Sequence, residues 1–127
     1  MVGYIDAIRM GFQKCWDFSG RSTKPEYWKW FVFVLVGVLI LSIVDIRMHT
    51  YNFRAGGGLI SGLFRVITLI PSLSLGARRL HDINRTGWWQ LLLFVPLLGL
   101  VVIMILAAKD GDIGKNRYGQ DPHIFLP

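Results

Sequence analysis

Three apolar runs of about twenty residues constrain this chain more than any other feature. They lie at 26–46, 59–77 and 88–108, each bounded by tryptophan, glycine or charge. About 20 apolar residues wound as an α-helix rise about 30 Å, the thickness of a bilayer's hydrocarbon core. A soluble domain of 127 residues would need more charge to cover its surface, for hydrophobic residues are 53% here and charged ones 17%. The expected fold class is therefore all-α integral membrane: about three transmembrane helices in a single membrane domain over 1–127, preceded by an N-terminal helix and closed by a polar tail, 109–127.

The ends of the runs carry their own signals. Thr23-Lys24-Pro25-Glu26 matches a capping box, with proline in the first turn where its missing N–H costs nothing. Tyr27, Trp28 and Trp30 then form an aromatic belt, with Lys29 placed to snorkel; Trp88 and Trp89 repeat the belt at the third run. Pro71 interrupts the second run, and Pro96 and Gly99 the third. Ahead of the first span, residues 4–17 put Tyr4, Ile5, Ile8, Phe12, Cys15 and Trp16 on one helical face, opposite Asp6, Arg9, Gln13, Lys14 and Asp17. Such an amphipathic helix suits the membrane interface, and suits packing on the bundle equally. Residues 1–20 hold no apolar core of a cleavable signal, so the first span is expected to direct insertion.

The formal charge of +6 does not point to nucleic acid, because the cations cluster at the ends of apolar runs, where anionic lipid head groups lie. The N-terminal segment (Arg9, Lys14, Arg21, Lys24) and the loop after the second run (Arg78, Arg79, Arg85) hold seven cations. The first loop (Arg47, Arg54) and the tail (Lys109, Lys115, Arg117) hold five. Three spans with that bias place the N-terminus in the cytoplasm and the tail outside. Cys15 is the single cysteine, and His49, His81 and His123 are far apart, so no metal site and no cofactor are expected.

Arg65 lies well inside the second run, where a charge costs about 2.5–3.5 kcal/mol on insertion scales. It is expected either to snorkel or to form an intramembrane pair with Asp45. Gly58 and Gly62, then Ser72 and Gly76, are small-residue pairs that permit close helix contact. The loop with Arg78, Arg79, His81 and Arg85, flanked by Trp88 and Trp89, is the principal candidate for binding lipid or another anion, since guanidinium forks match phosphate. The competing reading makes these residues topology-setting anchors. His81-Asp82 is not a catalytic pair, because adjacent residues on a helix do not face each other. In the tail, 111–115 lacks the spacing of a phosphate loop, and Asp110, Asp112 and Asp121 fit a calcium loop poorly. The tail could instead fold back on the basic loop, an arrangement that requires both on one side, against the count above.

Three motifs, in order, carry a resemblance. Phe18-Ser19-Gly20-Arg21 with Glu26-Tyr27-Trp28, then Arg78-Arg79-Leu80-His81-Asp82 with Gly87-Trp88-Trp89, then Asn116-Arg117-Tyr118-Gly119 with Asp121-Pro122, resemble the YhaH-like bacterial inner-membrane proteins (domain of unknown function 805). The resemblance implies a multi-pass protein of the bacterial inner (plasma) membrane and no activity. The leading functional expectation is a non-enzymatic component that binds membrane lipids, anionic ones included, or a membrane-protein partner, a second copy among them. The alternative is an interfacial enzyme acting on a lipid-borne phosphate through the Arg78–Arg85 loop.

Overall fold

A computed structural model describes residues 3–122. It is mostly helical: α1 (Tyr4–Gln13), α2 (Lys24–Arg47), a two-stranded hairpin of β1 (Tyr51–Asn52) and β2 (Gly57–Gly58), α3 (Leu59–Asp82), a 3₁₀ helix (Gly87–Phe94) and α4 (Leu98–Ala108). His123 lies outside the described residues.

α2 begins as its sequence dictates. The Thr23 hydroxyl accepts from the Glu26 N–H at 3.3 Å, and Pro25 occupies the first turn. α2 and α3 have 24 residues each, long and apolar enough to cross a bilayer. They pack through an aromatic ladder seated on glycines. Trp30 meets Phe12 and Phe33, and Phe33 meets Phe64, with ring centroids 5.2 to 5.7 Å apart. Phe64 rests where a Cβ on Gly37 would be, and Trp30 where one on Gly11 would be. The Trp30 indole N–H donates to Ser72 Oγ at 3.0 Å, satisfying a buried donor.

α1 packs on this pair through Ala7 and Gly11, both buried, and leaves Ile5 and Trp16 exposed. The face that touches protein is thus the small-residue edge of the apolar stripe together with Phe12, which meets Trp30 and Phe33.

At the far end, the buried Asp45 carboxylate closes the N-terminus of α3. It accepts from the backbone N–H groups of Ile60 and Ser61 at 3.0 and 2.9 Å and from the Thr50 hydroxyl at 2.6 Å. A carboxylate there satisfies orphan donors and meets the positive end of the helix dipole. It packs against Gly58 so closely that no Cβ would fit. Arg65 does not pair with Asp45. Its guanidinium donates to the Gly56 carbonyl at 3.1 Å, as a snorkelling side chain does, because Asp45 is already filled by backbone donors. Of the two small-residue pairs, Gly58, Ser72 and Gly76 serve contacts within the chain, while Gly62 faces open space.

The expected third span, 88–108, is not one helix. The 3₁₀ helix Gly87–Phe94 and the eleven-residue α4 are separated by a reversal at Val95-Pro96-Leu97. Leu97 has φ 67° and ψ −58°, and the Leu98 N–H donates to the Pro96 carbonyl at 2.7 Å. Those values define a γ-turn of the rare, strained kind. Gly99 then lies against the Leu92 carbonyl, where any side chain would collide. The segment leaves the end of α3 and returns to it: Gly87 packs on Ala77, and the Ala107 carbonyl accepts from Arg79 Nε at 3.1 Å. At about 1.5 Å per residue, α4 is roughly 16 Å long, about half a bilayer core.

Candidate functional site

The start of α2, the end of α3, both ends of the doubled-back segment 87–108 and the polar tail meet at one end of the molecule. α3 continues through Asp82, so Arg78, Arg79 and His81, expected in a loop, stand on its last turns. That register turns the two arginines inward, and each is 1% exposed.

Asp82, fully buried, is the hub. Its Oδ1 accepts from Arg21 Nε at 2.9 Å and its Oδ2 from Arg79 Nη1 at 2.8 Å. Arg21 also donates to the carbonyls of Asp112 and Gly114, both at 2.5 Å, and Arg79 to the carbonyls of Ala107 and Lys109. The Asp112 N–H returns a bond to the Asp82 carbonyl at 2.7 Å, and Gly111 has no room for a side chain beside the carboxylate. One carboxylate between two guanidiniums leaves a net positive charge, spread over carbonyl oxygens from the tail.

Arg78 lies beside this knot and ties down the N-terminal segment. Its Nε donates to Ser22 Oγ at 3.0 Å and its Nη1 to the carbonyls of Lys14 and Asp17, both at 2.7 Å. Arg78 Nη2 and Glu26 Oε1 are buried without a hydrogen-bond partner. For the Asp17 carboxyl, partial burial works upward, but bonds from the Ser19 hydroxyl and N–H and the charge of Arg78 outweigh it and hold the group below its ordinary value.

The tail's turn is held by its own side chains. Gly114 N–H donates to Asp121 Oδ2 at 3.0 Å, and Asn116 Nδ2 donates to the His81 carbonyl at 2.9 Å. Tyr118 stacks on His81 with centroids 3.9 Å apart, and His81 Nδ1 sits 2.9 Å from the Gly20 carbonyl. His81 is therefore a packed residue, and no metal-holding cluster occurs among the described residues.

These contacts correct two expectations. The tail is on the same end as the N-terminal segment, because the 88–108 segment doubles back. Arg78 and Arg79 do not face head groups, since both are buried and the bonds they make go to Asp82, Ser22 and backbone carbonyls. Cations at a span's end look alike in a sequence, and only the helical register separates inward from outward ones.

The outward set is different. Arg85 is exposed and lies 5.1 Å over the Trp89 ring. Arg117, which the sequence marked through its motif and as a cation of the tail, is exposed, lies 5.0 Å over the Tyr118 ring and donates to the Asn84 carbonyl at 3.0 Å. Two guanidiniums, each steadied by an aromatic face, thus flank residues 84–85. Trp88, 74% exposed, borders a shallow depression together with Trp89. It forms a wall of an apolar groove of about 620 Å³ between α3 and the 3₁₀ helix, lined also by Phe18, Leu73, Ala77, Leu91 and Phe94.

Comparison with known proteins agrees with the motifs. Residues 15–120 match the family "Protein of unknown function (DUF805)". The inner membrane protein YhaI of Escherichia coli K12 is 37% identical over 105 residues, 83% of this chain and 85% of its own length. The inner membrane protein YhaH of the same strain is 30% identical over 107 residues, 84% and 88% of the two chains. The uncharacterized protein YiiR, also of that strain, is 28% identical, covering 86% and 88%. No solved structure matches. Two helices able to span a bilayer, a shorter apolar helix and these relatives together make the chain a multi-pass protein of the bacterial inner membrane, and it belongs to the DUF805 family.

Proposed function

We propose that this protein is a non-enzymatic inner-membrane component that binds anionic lipid head groups on the cytoplasmic side, through Arg85 and Arg117. The observation that carries the reading is their placement. They are exposed guanidiniums braced on Trp89 and Tyr118 and brought to one loop by the folded-back tail. A planar fork held in advance loses little freedom on meeting a phosphate.

In this arrangement α2 and α3 cross the bilayer, the 88–108 hairpin enters half of it and returns, and α1 lies at the interface against α2. Arg9, Lys14, Arg21, Lys24, Arg78, Arg79, Arg85, Lys109, Lys115 and Arg117, ten cations, then share one side against Arg47 and Arg54 on the other. A bias of that size favours the cytoplasm for both ends. The enzyme reading finds less support, for His81 is stacked between the tail and Gly20 and not presented to a substrate.

The test is vesicle binding by the protein in detergent, comparing phosphatidylglycerol with phosphatidylcholine. Arg85→Gln with Arg117→Gln should remove most of the preference for the anionic lipid, and salt should weaken the wild type. Arg85→Lys with Arg117→Lys should keep only part of it. An unchanged preference in the Gln double variant would overturn the reading.

A further inference from the structure

We infer that the groove between α3 and the 3₁₀ helix holds one acyl chain of a phospholipid whose phosphate meets Arg85 and Arg117, so that the protein retains a single lipid and does not merely attract a charged surface. The inference rests on the head-group reading above and names its ligand.

Three observations support it. The groove, at about 620 Å³, falls within the roughly 300–1,000 Å³ of small-molecule sites, and its walls are Phe18, Leu73, Ala77, Trp88, Leu91 and Phe94. The polar group along it, Gln90, is already engaged, donating from Nε2 to the Leu73 carbonyl at 3.0 Å, so a hydrocarbon chain meets no unsatisfied donor there. Most telling is the join between the two parts. Trp88 walls the groove and also borders the shallow depression beside Trp89, the ring on which Arg85 lies. A chain in the groove therefore brings its own phosphate up to the cationic rim, and charge matches charge.

The occupant is a phospholipid and not a helix of a partner. The half-depth hairpin forms one wall, so the groove opens where bilayer lipid already stands, with cations at head-group height and apolar side chains below. A chain lying in the concavity supplies contacts that a straight helix would leave unmade.

The experiment is native mass spectrometry of the full chain in detergent, after exchange with 1-palmitoyl-2-oleoyl phosphatidylglycerol. The wild type should carry one lipid per chain. Leu73→Trp and Leu91→Trp, which fill the groove, should each lower that occupancy by about tenfold, equivalent to about 1.4 kcal/mol. Both should keep the wild-type preference for phosphatidylglycerol vesicles. Leu91 is 54% exposed, so its variant is expected to fold if Leu73→Trp does not, and circular dichroism verifies each. Wild-type occupancy in a folded Leu91→Trp variant would overturn the groove and leave the head-group reading standing. Loss of vesicle preference only in the Arg variants, with occupancy falling in the Trp and the Arg variants alike, would support both. A wild type that retains no lipid overturns the inference.

Discussion

Arg21 and Asp82, 61 residues apart, form a buried ion pair of 2.9 Å that fixes the N-terminal segment to the end of α3. Asp82 is also the acceptor for Arg79, so a single carboxylate offsets two buried guanidiniums. Asp82→Asn keeps the shape and removes that charge. It should destabilise the fold by about 3–5 kcal/mol, because breaking a buried pair leaves an uncompensated ion. Thermal unfolding in detergent measures it. A loss no larger than a surface substitution would mean that the backbone carbonyls alone hold the arginines.

Asp45 and Arg65 make separate contacts, and their mutants should behave separately. Asp45→Ala removes the cap of α3 and should cost roughly 0.5–2 kcal/mol, at the upper end for a buried site. Arg65→Gln, which loses one exposed bond to a carbonyl, should stay within about 0.5 kcal/mol. The double variant should equal the sum of the singles. A coupling energy near 1 kcal/mol would show that the two side chains meet.

Both ends of the chain should lie in the cytoplasm, with the β-hairpin at Arg54 outside. Reporter fusions at each terminus, and a cysteine placed at Arg54 and probed from outside, check this in cells. A tail found outside would require 88–108 to straighten into one helix, breaking the contacts of Arg21 with Asp112 and Gly114.

Much of this fold was readable from residue order alone. Thr23 to Glu26 announced the start of α2, and the two long apolar runs announced α2 and α3. The hairpin was harder to read, because hydropathy reports that a segment prefers lipid and not how deep it goes. Pro96 and Gly99 were its only marks. The knot was half visible: Arg21, Asp82, Asn116 and Asp121 stood in three motifs, and a tail folded back on the basic loop was the alternative that the charge count disfavoured. The inward course of Arg78 and Arg79 is not legible in the sequence, for a physical reason. Charged side chains at a helix end usually face water, and these find carbonyls and a carboxylate from segments distant in the chain. Arg117 was visible as a motif residue and a tail cation, but its place beside Asn84 depends on the tail's return.

The half-depth hairpin also bears on how the protein reaches its native state. If it turns back inside the bilayer, only the short connection from Met48 to Gly58 must be moved across it, and that stretch carries one arginine, Arg54. Everything after α3 stays on the side of synthesis. The carbonyls that receive Arg21 and Arg79 come from Ala107 to Gly114, which leave the ribosome after α3. Until they arrive, three charged groups wait incompletely paired near the membrane surface. The knot then closes only after α3 and the segment behind it are made, and a chain shortened before Asp112 would insert its helices without being able to close their end.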